Sequence, residues 1–133
     1  MPQENVETVR RAFDALSRGD IEAFVALHHA DAQIHELAEM PDHKVYRGHD
    51  EIRQWGEAGL QIFPGVQWTL EEVLHNADDR VVVRTGFRGQ GGGSGVPVDQ
   101  MVFHLIEFDD GLVVRAQAWF ERDQALEAAG LSE

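Results

Sequence analysis

The chain has 133 residues, 43% hydrophobic and 26% charged, with no cysteine and a formal net charge of −13. That length supports one core, so residues 1–133 are read as a single domain, and without cysteine there is neither a disulfide nor thiolate chemistry. The acidity disfavours a polynucleotide partner, no apolar run approaches the roughly 20 residues of a membrane span, and Met1 to Arg10 lacks the apolar stretch of a secretory leader, so a cytoplasmic location is expected.

The first third reads as helix. Val6, Val9, Phe13 and Leu16 recur at spacings of three and four and share one helix face. Gly19 ends that helix and Asp20 caps a second one, with Ile21, Phe24, Val25 and Leu27 pointing inward. A short extended piece follows from Ala32 to Leu37, and residues 38–47, with Pro41 and several charges, read as loop. Gly48 and Asp50 open a third helix whose buried side carries Ile52, Trp55, Leu60 and Phe63, stopped by Pro64-Gly65. Gly56 and Gly59 are poor helix formers, and inside a helix they suggest close packing.

The remainder reads as strands at about 66–76, 80–89, 97–108 and 112–121. Turns fall at Asn76 to Asp79 and at Asp109-Asp110-Gly111, and a last short helix runs from near Asp123 to Gly130. Helices followed by an antiparallel meander give an α+β fold. The run Gly89-Gln90-Gly91-Gly92-Gly93-Ser94-Gly95 has the glycine content of a phosphate loop, but it lacks the Gly-Lys-Ser/Thr ending and no helix follows; it reads as a hairpin tip.

Side chains alternate across a strand. In the third long strand Gln100, Val102, His104, Ile106 and Phe108 share one face, and Met101, Phe103, Leu105 and Glu107 the other. In the last strand Val114, Ala116, Ala118 and Phe120 lie opposite Arg115, Gln117, Trp119 and Glu121. Apolar residues on both faces require a second cover. A homodimer through the outer face is expected, at Met101, Phe103, Leu105 and Trp119; the alternative is the C-terminal segment folded back over it.

Two residues stand out for chemistry. Glu36 lies in Ile34-His35-Glu36-Leu37; if Ile34 faces the core, so does Glu36, and a carboxylate in an apolar cup is a usable general base or acid. His104 sits mid-strand among apolar neighbours and is read either as a core histidine bonded to backbone or as a donor in a pocket. The seven histidines raise the question of a metal, with His28-His29, His35-Glu36 and His43 the densest group. No His-x-x-x-His or His-Glu-x-x-His spacing occurs, and no metal is expected. Nor is there a Gly-x-Ser-x-Gly nucleophile elbow.

From about residue 4 to 131 the chain resembles the SnoaL-like family of the nuclear-transport-factor-two-like superfamily, which includes ketosteroid isomerases and polyketide cyclases. The resemblance is carried by Asp14 to Asp20 (DALSRGD), Val25-Ala26-Leu27, Tyr46 to Ile52 (YRGHDEI), Asp110-Gly111-Leu112-Val113 and Ala125 to Leu131 (ALEAAGL), in that order and spacing. It implies a curved antiparallel sheet wrapped around three N-terminal helices, with a cone-shaped apolar pocket for a small organic ligand and frequent dimers. It also places Glu36 on the isomerase base, His104 on the isomerase oxyanion acid and on the cyclase histidine, and Trp55 on a pocket aromatic. Ala12 stands where the isomerase has its oxyanion tyrosine, and Ala118 where the cyclase has its aspartate, so neither well-known site is complete. The expected activity is proton transfer of isomerase, cyclase or dehydratase type without a cofactor. Glu36 and His104 are its catalytic residues, with pocket walls from Phe13, Leu16, Ile34, Trp55, Val83, Val102, Ala118 and Phe120. The alternative is a non-catalytic small-molecule-binding or accessory domain of the same fold.

Overall fold

The structure, a computed structural model, describes residues 2–37, 44–90 and 97–131. The glycine-rich tip after Gln90 and His43 lie outside the described residues. Helix α1 (Pro2–Arg18) buries Val9, Ala12, Phe13, Ala15 and Leu16. It ends where Gly19 takes φ +74°, with Gly19 N–H bonded to Leu16 O at 3.1 Å and Asp20 N–H to Ala15 O at 2.9 Å, the paired bonds of a Schellman turn. Asp20 then caps α2 (Ile21–Ala26) by accepting the Ala23 N–H at 3.1 Å.

Strand β1 (His28–His35) starts earlier than the sequence suggests, directly after α2. Its neighbour is the reason: β1 lies parallel to β6 (Leu112–Trp119), and the Val113 N–H already bonds Leu27 O at 3.1 Å. Strand β2 (Val45–Arg47), read as loop from the sequence, pairs antiparallel with the end of β1, placing Tyr46 opposite Ile34. Helix α3 (Gly48–Ile62) follows. Its Gly56 does mark close packing, since a Cβ there would lie 2.9 Å from Ile21 Cδ1; Gly59 has nothing within 4 Å of such an atom.

Strands β3 (Gln67–Ala77), β4 (Arg80–Gln90) and β5 (Pro97–Asp109) complete one six-stranded sheet of order β2-β1-β6-β5-β4-β3. All its pairs except β1–β6 are antiparallel. The two tight turns use left-handed residues, Asp78 (φ 56°) with Asp79 (φ 58°), and Asp110 (φ 52°) with Gly111 (φ 80°). Register shifts in β3, and between β5 and β6, mark bulges, which bend strands and curve the sheet. Between the pairs Phe108↔Val113 and Glu107↔Arg115, β6 holds one extra residue, Val114. The inward set is therefore Val113, Ala116 and Ala118, whereas alternation alone groups Val114 with Ala116 and Ala118.

Helices α1 to α3 fill the concave side, where Val9, Phe13, Phe24, Ile52, Val83, Ile106 and Phe108 share one core. The convex side has its own cover. Helix α4 (Arg122–Ala128), with the residue after it, lays Ala125 and Ala129 over Val82, Phe103, Leu105 and Trp119, flanked by Leu74, Leu126 and Leu131. This corrects the expected subunit face: Phe103, Leu105 and Trp119 are buried within the chain, and of the four named residues only Met101 stays exposed, at 45%. Small alanines let the helix sit close to the large side chains beneath it. No helix of the described residues is long and apolar enough to cross a membrane.

Candidate functional site

A cavity of about 560 Å³ opens between the concave sheet and the three helices, within the size range of small-molecule sites. Its walls are mainly apolar and aromatic. Phe13, Leu16, Ile34, Trp55, Val102, Ala118 and Phe120 all line it, together with Glu36 and His104. Val83 does not. On β4 the cavity is reached by Phe87, four residues further along the same face, and Val83 is wholly buried in the core. A larger depression of about 810 Å³ lies along the outside of α1, walled by Glu4, Glu7, Arg10 and Arg11 among others. None of the candidate residues faces it, and Val73 and Asn76 of β3 and Gly111 close its other side.

Glu36 reaches the cavity by strand alternation. Ile34 is buried and points inward, and Glu36, two residues on, keeps the same side because the ladder continues past β1 through Glu36 N–H to Lys44 O at 3.0 Å. Tyr46, opposite Ile34, shares that face, and its hydroxyl donates to Glu36 Oε1 at 2.9 Å. Burial, and next the neighbouring carboxylate, hold the Tyr46 hydroxyl above its ordinary pKa, so it stays a protonated donor. Tyr46 is the chain's one tyrosine, and its place in a loop-like stretch hid this role.

His104 lies on β5 opposite Val83 and Ala118, under the edges of Phe13 (4.9 Å between ring centroids) and Trp68 (5.7 Å). Burial pushes its imidazole down from 6.5 to about 3, so it is neutral near pH 7. Its Nε2 lies 3.0 Å from Thr85 Oγ1, which is also 3.3 Å from Val102 O. A hydroxyl has one proton. If Thr85 donates to Val102 O, His104 donates from Nε2 and its Nδ1 is an acceptor. If Thr85 donates to Nε2, the imidazole proton sits on Nδ1, which is then a donor. Thr85 was not foreseen, because strand register is not visible in a single sequence.

The remaining aromatic wall is built by local contacts. Ser17 Oγ accepts the Trp68 N–H at 2.8 Å and donates to the Trp68 carbonyl at 3.2 Å, tying β3 to α1. That fixes the Trp68 ring against Phe13 and Phe87. Phe24 stacks on Trp55 at 5.6 Å and contacts the His28 ring at 4.6 Å. His28 donates from Nδ1 to Phe24 O at 2.8 Å. Burial pushes it down to about 4, with the neighbouring His49 adding to the shift against the opposing backbone bond. Glu36 and His104 thus line one cavity while each holds a different partner. Among the described residues no three His, Asp or Glu side chains converge as metal ligands.

The family model for the SnoaL-like domain matches residues 9–116. The chain belongs to the SnoaL-like family. No protein of curated function matches it. Solved structures that match along nearly the whole chain share its fold. One is a protein with a ketosteroid isomerase-like fold from Catenulispora acidiphila, in complex with trimethylamine (19% identity, 94% of this chain and 93% of that one, TM-score 0.77). Another is SalBIII, an epoxide hydrolase/cyclase-like enzyme of pyran ring formation in the polyether salinomycin (15%, 90% and 92%, TM-score 0.78). A third is TerC, co-crystallised with polyporic acid (19%, 96% and 97%, TM-score 0.77). At these identities the likeness is one of fold.

Proposed function

We propose that this SnoaL-like protein takes a small, mainly apolar organic molecule into the cavity and catalyses proton transfer on it without a cofactor. The supporting observation is the Tyr46–Glu36 pair: a carboxylate on an otherwise mainly apolar wall, with one oxygen held by a phenol and the other left for a substrate proton. In this reading Glu36 removes a proton from a carbon next to a carbonyl, and the electron pair moves to the carbonyl oxygen as an enolate. His104, neutral and protonated on Nδ1 when Thr85 donates to Nε2, gives that oxygen a hydrogen bond. Returning the proton to another carbon yields an isomer; ring closure or loss of a leaving group from the enolate yields the cyclase and dehydratase variants. A phenol donor at position 12 is absent, so the enolate relies on the His104–Thr85 pair.

The test needs no assigned product. In deuterated water the protein should speed deuterium uptake at the α-carbon of cyclic ketones that fit the cavity, followed by NMR. Glu36→Gln should abolish that uptake with folding unchanged; equal uptake in both proteins sinks the assignment. The second reading, a non-catalytic binder, is favoured by one feature: Glu36 and His104 hold separate partners, Tyr46 and Thr85, and do not bond each other. It predicts ligand binding with no uptake at all.

A further inference from the structure

The walls of the cavity carry an unbalanced charge. Among the described residues that line it, Glu36 is the one carboxylate, and none is lysine or arginine. The buried His28 and His104 are neutral near pH 7 and supply no counter-charge, and the third lining histidine, His35, accepts the Arg115 Nε–H on Nε2, which an imidazolium could not do. Two cations lie close by without lining the cavity. Lys44 is exposed, with its ammonium 4.7 Å from the centroid of the Tyr46 ring. Arg115 lies 3.3 Å from His35 and is paired with Glu107 at 3.7 Å.

Filling such a cavity with a neutral apolar molecule strips water from Glu36 and leaves its charge facing an apolar body, which is costly. An anion adds repulsion. A cation removes the penalty by supplying the missing charge. The aromatic side chains Phe13, Phe24, Trp55 and Trp68 that line the cavity act in the same direction where a ring face meets the ligand, because an aromatic face is negative and attracts an ammonium group.

We propose that the ligand of this cavity is a lipophilic amine in its protonated form, with the cationic nitrogen against Glu36 and the apolar body among the aromatic rings. This rests on the cavity reading above and adds the ligand's charge to it. It also answers a weakness of the enolate step. With alanine at position 12 the wall has few donors, whereas an ammonium group within the substrate stabilises the negative charge as it moves from Glu36 onto the ligand.

Two molecules of the same shape test this: benzyltrimethylammonium, permanently charged, and neopentylbenzene, in which carbon replaces the nitrogen. Titration calorimetry on the full chain should give the cation at least tenfold tighter binding than its neutral isostere, a difference of about 1.4 kcal/mol. In Glu36→Gln the two should bind within threefold of each other, with neopentylbenzene little changed from the parent. Equal binding of the two by the unsubstituted protein overturns the charge assignment and leaves the cavity reading standing. A cation preference that survives in Glu36→Gln overturns Glu36 as its source. Binding of neither molecule overturns the cavity reading and this inference with it.

Discussion

The two faces of the sheet begin from similar material and end differently. The convex face carries Val82, Phe103, Leu105 and Trp119, and one short helix with small residues at 125 and 129 closes over them. The concave face carries Val102, His104, Ile106 and Ala118, and three helices still leave about 560 Å³ unfilled. Apolarity therefore does not mark the functional face. What marks it is curvature combined with helices too widely spaced to reach the sheet everywhere, and polar groups retained where the void remains. The outer face is spent on stability, the inner face is divided between stability and reception of a ligand.

That contrast can be broken by cutting one large ring from each face. Trp119→Ala empties a packed cluster and should cost about 3–5 kcal/mol in urea unfolding. Trp55→Ala removes a half-buried ring that already borders empty space and should cost about 1–2 kcal/mol by area burial. Equal losses would mean that the cavity side is packed as tightly as the convex side.

Acid probes the same difference, because the buried histidines belong to the concave side. Folding holds His28 and His104 neutral, so between pH 6.5 and their folded values the unfolded chain binds protons that the folded chain does not. Their contribution is complete above about pH 6.5. It is lost as the pH falls, down to about 4 for His28 and about 3 for His104. From pH 6.5 to 5.5 the pair should cost about 2 kcal/mol. Urea midpoints measured across that interval check the size, and His104→Asn should flatten part of the slope; an unchanged slope would show that this histidine is not the group being titrated.

The smallest effect compares the two glycines of α3. Gly59→Ala meets no neighbour and should stabilise by about 0.5–1 kcal/mol through helix propensity. Gly56→Ala should gain less, because its new methyl group must displace the end of Ile21. Thermal melts of the two variants give the ordering, and equal gains would show that the helix does not pack on Ile21 as described.

How much was legible follows from which signals are local. Helix periodicity, the Gly19–Asp20 junction and the two aspartate-containing turns are written in adjacent residues, and the structure has them where the sequence suggests. Alternation from Ile34 brought Glu36 to the cavity side and separated His104 from Phe103. The misses are all non-local. Tyr46 became a partner of Glu36 only through pairing of β2 with β1, and Thr85 a partner of His104 only through the register of β4 on β5. Val83 has the right face but the wrong depth, which alternation cannot report. The cover on Phe103 and Trp119 was one of two occupants the sequence allowed, and choosing between them required seeing where α4 lands.

Val114 has a consequence out of proportion to its chemistry. As the extra residue between two register pairs, it sets the phase of everything after it on β6. Were the same residues to run on as a regular strand, without the bulge, they would fall in the other frame: Arg115, Gln117 and Trp119 would turn toward the cavity, and Ala116 and Ala118 toward α4. The wall that a ligand meets is thus determined by where the bulge falls as much as by which residues follow it. Deleting Val114 itself would leave a regular ladder with Arg115 still opposite Glu107 and the same residues lining the cavity, whereas a one-residue insertion or deletion beyond the bulge would exchange the two faces of the rest of the strand.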